Sequence, residues 1–239
     1  MPTQNCDPMP ARPRRTGIQG VLWDMDGTLL DTEPYWMAAE ARLVAEFGGS
    51  WSDAQALELV GNALPDAAAA LQRAGVALGE REIIDRLTAE VLDGVRRHVD
   101  WRPGALELLE ALHAASIPCG LVTMSEEPLA ALVIDQLPKK YFAFRVTGDM
   151  VERGKPHPDP YLMGLQMLGA QVENLEPSRV IGLEDSAPGI ASAAASGITA
   201  VLVEHLAPVP DSASWHRLGT LAGVRIDALA ALASTGVRA

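Results

Sequence analysis

Two carboxylates, Asp24 and Asp26, stand two residues apart where an apolar run over 18–23 ends. Gly27 and Thr28 follow, then a further acid at Asp31. Paired acids at the end of a buried strand repel each other. A divalent cation with oxygen ligands from Asp and backbone carbonyl is the common way to offset that repulsion. A surface turn carrying two acids and a glycine is the alternative, and this segment alone does not separate the two.

Residues far along the chain weigh on the first reading. A strand over 117–123 ends on Thr123, with Ser125 just beyond it. A strand over 144–147 leads towards Lys155, in Gly154-Lys155-Pro156. A strand over 179–183 opens onto Glu184, Asp185 and Ser186. Ligands of open α/β sheets bind beyond the carboxyl ends of the strands, so four polar strand ends on one rim read as a site. The chemistry they imply is phosphoryl transfer. Asp24, Glu184 and Asp185 suit an octahedral Mg²⁺ with a backbone carbonyl and waters. A metal-held carboxylate can attack phosphorus and form an aspartyl-phosphate. Thr123 can donate to a phosphoryl oxygen, and Lys155 adds a compact positive charge where negative charge builds. Asp26 is the candidate that protonates the leaving oxygen and then deprotonates water.

The elements that must position these side chains alternate. Helices are expected over 105–115, 127–137, 159–168 and 187–196, each preceding a strand, the last strand over 199–203. A short helix and strand follow, ending in 227–233. Such alternation argues for a parallel sheet covered on both faces. A β-to-β crossover with its helix needs about 30 residues, and the chain from Asp24 to Thr123 uses far more. The surplus reads as helices over 32–47, 53–60, 65–74 and 80–98, with no strand between 31 and 101. Thr32 is a plausible cap for the first, with Glu33 and Pro34 in its first turn. The expected organisation is a disordered tail over 1–17, an α/β core over 18–30 and 102–239, and an inserted all-helical cap over 31–101. Asp31 and Arg102 fall near its two hinges.

Composition narrows the functional classes. The net charge of -12 makes nucleic acid an unsuitable partner, since phosphate backbones need clustered Lys and Arg. No apolar run approaches the roughly 20 residues that span a bilayer, so no membrane partner is expected. The tail is polar and Pro-rich without the apolar stretch of a signal peptide. Its cysteine, Cys6, and Cys119 in an expected strand form neither a disulfide framework nor a zinc site, and a reducing, cytoplasmic setting is expected. Arginine outnumbers lysine 16 to 3, which singles out Lys139, Lys140 and Lys155. The first two follow a helix end, where cations suit the helix dipole.

Taken together, Asp24-Met25-Asp26-Gly27-Thr28, Thr123, Lys155 and Gly182-Leu183-Glu184-Asp185-Ser186 resemble the four motifs of the haloacid dehalogenase superfamily. Order and spacing are similar to its subgroup with a helical cap, in the branch of phosphatases and β-phosphoglucomutases, and the likeness covers 18–203. The resemblance implies a Rossmann-like α/β core, Asp24 as nucleophile and Asp26 as general acid/base. It implies Mg²⁺ held by Asp24, Glu184, Asp185 and the backbone carbonyl of Asp26, with Thr123 and Lys155 on the phosphate. Gly27, Thr28, Ser125, Glu33 and Asn62 are the candidates for substrate contact. Ser125 has the alternative role of capping the next helix, and Glu184 and Asp185 that of a helix N-cap pair, a role compatible with metal binding. Tyr35 and Trp36 read first as helix core.

Family members that cleave carbon–halogen bonds lack the second acid, so Asp26 argues against that reaction. Those that cleave phosphonates use a cap lysine, and 31–101 contains none. Mutases hold a second phosphate with basic cap residues. The cap loop here reads Gly61-Asn62-Ala63-Leu64-Pro65-Asp66, and the segment carries 13 acids against 6 arginines, a net charge of -7. Hydrolysis of a small phosphorylated metabolite is therefore preferred, with Arg73, Arg96 and Arg97 as the cap cations able to favour a mutase. A phospho-receiver domain shares acids, Thr and Lys on a sheet rim, but is about half this length and has no helical insert.

Overall fold

The computed structural model describes residues 17–235. The expected tail, with Cys6, lies outside the described residues apart from Gly17. Six parallel strands form one sheet in the order β3-β2-β1-β4-β5-β6. In chain order they are β1 (Gly20–Trp23), β2 (Cys119–Val122), β3 (Phe142–Val146), β4 (Val180–Glu184), β5 (Thr199–Val203) and β6 (His216–Leu218). The register is continuous across the centre: Leu22 faces Gly120 on one side and Gly182 on the other.

Side chains alternate between two apolar layers, because successive strand residues point to opposite faces. Val21, Trp23, Leu121, Ile181 and Leu183 enter one layer; Leu22, Val122, Val180 and Leu202 enter the other. Both layers are covered, as buried parallel sheets require.

Between β1 and β2 run α1 (Glu33–Glu46), α2 (Asp53–Leu57), α3 (Leu64–Arg73) and α4 (Glu80–Arg97), and no strand lies among them. In α4 the buried positions Ile83, Ile84, Leu87, Val91 and Val95 recur at three- and four-residue steps, the signature of one apolar face. Prolines occupy the first turns of α1 and α3, where the missing N–H costs nothing. The chain entering and the chain leaving this segment are stitched together. The Asp31 N–H donates to Asp100 O at 2.8 Å, and the Arg102 N–H to Leu29 O at 3.0 Å. Helices α5 (Ala105–Ala114), α6 (Glu127–Asp135), α7 (Asp159–Gly169), α8 (Ala187–Ala195) and α9 (Ile226–Thr235) complete the chain.

The differences from expectation are local. The expected helix over 53–60 stops at Leu57, because Asn62 turns its side-chain amide back onto Glu58 O at 3.0 Å. The third strand begins two residues early, at Phe142. The closing pair comes as strand then helix, β6 before α9. Lys139 reaches Glu110 at 2.7 Å, so an ion pair and not the helix dipole holds it. No described helix is long and apolar enough to cross a membrane.

Candidate active site

The strand order reverses direction at β1, between β2 and β4, and this switch point opens a crevice beyond the strand ends. Backbone pairing carries past the strands there. The Asp24 N–H donates to Leu183 O at 3.0 Å, which sets Asp24 beside Glu184. The Thr123 N–H donates to Val146 O at 2.9 Å and brings Thr123 onto the same rim. After Asp24 the chain folds into a tight loop closed by Leu29 N–H to Met25 O and Gly27 N–H to Leu30 O. Gly27 has φ +84°, and a Cβ there would lie 2.0 Å from Asp185 Oδ2. Only glycine accepts both conditions. The loop thereby aims Asp24 and Asp26 into one cavity while Gly27 backs onto Asp185.

The buried charges form a compact group. Lys155 Nζ lies 2.7 Å from Asp24 Oδ1, 2.6 Å from Glu184 Oε1 and 2.9 Å from Val122 O. The Tyr161 hydroxyl donates to the same Glu184 Oε1 at 2.6 Å. Thr28 Oγ1 approaches Asp185 Oδ1 at 3.4 Å. Burial, with Glu184 alongside, pushes the Asp24 carboxyl up to about 8 against the pull of Lys155. Burial also drives Asp185 well above the usual carboxylate range, with Asp24 and Glu184 adding to it. Burial alone would lower Lys155, but Asp24 and Glu184 outweigh it and hold its pKa above the ordinary lysine value. One ammonium among three buried carboxyls leaves the group short of positive charge.

That shortage suits a metal ion. Ligand atoms of Asp24, Glu184 and Asp185 all lie within 4.8 Å of one another. Glu184 Oε2 and Asp185 Oδ2 are buried without a hydrogen-bond partner, a costly state that a ligated cation would relieve. Three carboxylates are the donor set of a hard divalent cation. The acids present therefore fit the metal that the sequence motifs imply.

Asp26 lies outside this group and is held by four donors. Oδ1 accepts from Thr32 Oγ1 at 2.5 Å and Trp36 Nε1 at 3.2 Å; Oδ2 accepts from Ser125 Oγ at 2.8 Å and Thr123 Oγ1 at 3.1 Å. Two of the four come from α1 and the turn before it, two from the β2 end. Thr32 accordingly makes no side-chain cap on α1, contrary to expectation. Ser125 does not cap α6 either, since Glu126 takes that position. At α8 the cap is Ser186, which accepts from the Gly189 N–H at 3.2 Å, so the N-cap reading of Glu184 and Asp185 falls.

A cavity of about 60 Å³ lies above Asp24, Asp26, Lys155 and Ser125. Its upper wall comes from 31–101: Glu33, Trp36 and Glu40 of α1, and Val60, Gly61 and Asn62 of the loop before α3. This loop is seated on the sheet side, because a Cβ on Gly61 (φ +77°) would lie 2.1 Å from Ser186 Oγ. Thr123, Glu184, Asp185, Gly27 and Thr28 stand behind the cavity and not on its wall. Arg73, Arg96 and Arg97 are exposed and do not reach it.

Sequence reasoning missed several partners. Thr32 and Trp36 are four apart on a helix start, a spacing that puts them on one face, so their joint approach to Asp26 left a signal. Tyr161 left none, since nothing in α7 marks its contact with Glu184. Glu40 was equally silent: it is buried, and its Oε2 accepts from Trp51 Nε1 at 3.0 Å.

A buried group of acids and one lysine at the switch point of a parallel sheet defines a Rossmann-like α/β enzyme. The chain belongs to the haloacid dehalogenase-like hydrolases, whose family profile matches residues 21–203. Among its relatives, an N-acetylmuramic acid 6-phosphate phosphatase of Pseudomonas aeruginosa is 34% identical over 214 residues, spanning 84% of this chain and 89% of that one. A phosphorylated carbohydrates phosphatase of Thermotoga maritima is 29% identical over 186 residues, spanning 76% and 82%. The fold matches that of a β-phosphoglucomutase from Clostridium difficile with a TM-score of 0.76 at 19% identity, over 91% of this chain and 98% of that one.

Proposed function

We propose that this protein is a Mg²⁺-dependent phosphatase that hydrolyses a small phosphomonoester through an aspartyl-phosphate on Asp24. The observation that carries the reading is the division of labour between two acids of one loop. Asp24 sits with Lys155 and the metal-fitting carboxylates, and Asp26 is held apart by neutral donors at the mouth of the same cavity. Named relatives that act on phosphorylated small molecules support it.

Asp24, Glu184 and Asp185 would hold the cation, with the Asp26 carbonyl as the motif implies. When bound, it neutralises carboxylate charge and withdraws electrons from the phosphoryl oxygens. Asp24 attacks phosphorus, and the P–O bond to the leaving group breaks. Asp26 gives its proton to the departing oxygen, then removes one from the water that hydrolyses the aspartyl-phosphate. Lys155 holds the Asp24 carboxylate in place and offsets charge on the transferring group. Thr123 and Ser125 orient Asp26 from the β2 end. The helical segment 31–101 acts as a cap that keeps bulk water out. A sugar-phosphate mutase would need cations for a second phosphate, and among the described residues Lys155 is the single basic one on the cavity wall.

Hydrolysis of p-nitrophenyl phosphate with Mg²⁺ tests the reading. Asp24→Asn should abolish turnover, and Asp26→Asn should lower kcat by about a hundredfold or more, the usual loss of a general acid. Undiminished activity in Asp24→Asn would sink the mechanism.

A further inference from the structure

A buried tyrosine beside the acid group has no part in the chemistry proposed above. Tyr161 stands in the first turn of α7, just after the Lys155 loop, and is fully buried. The loop leading to it is fastened to α8, where Ser192 Oγ donates to His157 O at 2.6 Å. The Tyr161 ring thereby lies under the Lys155 ammonium, with 5.4 Å from Nζ to the ring centroid. Its hydroxyl donates to Glu184 Oε1 at 2.6 Å, the oxygen that Lys155 Nζ also meets at 2.6 Å. The Glu184 carboxyl further backs onto α8, filling the space that a Cβ at Gly189 would take. Tyr161 is not on the cavity wall, so it does not touch a leaving group there.

The two donors on Glu184 answer different needs. Lys155 divides its charge between Asp24 and Glu184. The Tyr161 hydroxyl bonds Glu184 and brings no charge to the group. Burial, with Glu184 and Asp24 adding, drives the Tyr161 hydroxyl well above its ordinary range, so it stays protonated and keeps donating. We infer that Tyr161 is a positioning residue for the metal centre: its hydroxyl fixes the Glu184 carboxyl among the acids that fit the cation, a task that Lys155, shared with Asp24, leaves half done. The inference rests on the metal-dependent phosphatase reading and adds to it a residue outside the motif positions named from the sequence. A carboxyl ligand keeps its orientation through the hydrogen bonds behind it, and losing such a partner weakens metal binding by about tenfold or more.

The test reads the Kd for Mg²⁺ from the melting temperature as a function of Mg²⁺ concentration, beside hydrolysis of p-nitrophenyl phosphate. Tyr161→Phe keeps the ring and removes the hydroxyl. It should weaken Mg²⁺ binding by about tenfold, leave KM for the aryl ester unchanged, and regain most of the parental kcat at saturating Mg²⁺. Tyr161→Met, which fills the space with neither ring nor hydroxyl, should weaken Mg²⁺ binding at least as much. In a Glu184→Ala background, Tyr161→Phe should change the Mg²⁺ Kd by less than about twofold, because the hydroxyl acts through Glu184. A parental Kd in Tyr161→Phe overturns the inference, as does an equal loss of affinity in the two backgrounds. A fall in kcat that saturating Mg²⁺ does not restore overturns it as well. Mg²⁺ binding without hydrolysis in the parent protein overturns the phosphatase reading, while the comparison of Kd values still decides the role of Tyr161. A parent protein indifferent to Mg²⁺ overturns the metal site and the role of Tyr161 together.

Discussion

Asp26 shows how much a single side chain depends on its donors. Four hydrogen bonds hold the carboxylate that we propose alternates between giving and taking a proton. Trp36→Phe takes away the indole N–H while preserving the ring. We expect kcat for p-nitrophenyl phosphate to fall by about tenfold with the melting temperature little changed, and an unchanged kcat would refute the positioning role. Glu40 offers a second test at this scale. Its pKa is raised by burial from 4.5 to about 7, so the folded protein holds a proton that the unfolded chain has released between those values. The charged form costs the fold stability that is lost as pH rises through this window, by up to about 3 kcal/mol. Glu40→Gln, which cannot ionise, should thus gain melting temperature relative to the parent as pH moves from 5 to 8. An unchanged difference across that range would contradict the assignment.

At the scale of elements, two loops decide whether the catalytic groups meet. The loop after β1 turns at Gly27 and packs on Asp185, and the loop before α3 turns at Gly61 and packs on Ser186. The second joins the helical segment to the sheet at the cavity mouth. In Gly61→Ala, the positive φ and the approach to Ser186 Oγ oppose a side chain together, so the loop must lift. The expected outcome is a rise in KM of about tenfold with a modest loss of thermal stability. Kinetics beside a thermal melt would separate the two. A variant with parental KM would show that the seated loop has no part in turnover.

For the molecule as a whole, the central question is how the fold tolerates so many acids at one rim. Lys155 neutralises part of the group, and Glu184 Oε2 and Asp185 Oδ2 remain without partners. A cation that binds the folded chain and not the unfolded one stabilises it by mass action. Mg²⁺ should raise the melting temperature of the chelated protein. At 100 times its Kd the gain is about 2.7 kcal/mol, a few degrees for a chain of this size. Asp185→Asn should erase most of that gain, and EDTA should abolish hydrolysis reversibly. A melting temperature indifferent to Mg²⁺ in the parent protein would remove the metal site from the proposal.

Much of this was legible in the sequence because it depends on local order. Alternating apolar runs and helical spacings announce a parallel sheet covered on both faces, since strand and helix periods follow from backbone geometry alone. Polar residues just past the strands announce a rim, because parallel strands deliver all their carboxyl ends to one edge. Asp24, Thr123, Lys155, Glu184 and Asp185 could be named for that reason, over a span of more than 150 positions. What the sequence could not determine is which side chains satisfy one another. Thr32 looked like a helix cap and became a donor to Asp26; Ser186, not the acids before it, capped α8. Tyr161 and Trp51 reached Glu184 and Glu40 through contacts that no spacing along the chain encodes. Hydrogen-bond partners across a closed cavity are chosen by packing, where distances of a few tenths of an ångström decide between competing acceptors. That choice belongs to the tertiary structure, and it set the indole of Trp51 on the buried carboxyl of Glu40 and four donors on Asp26.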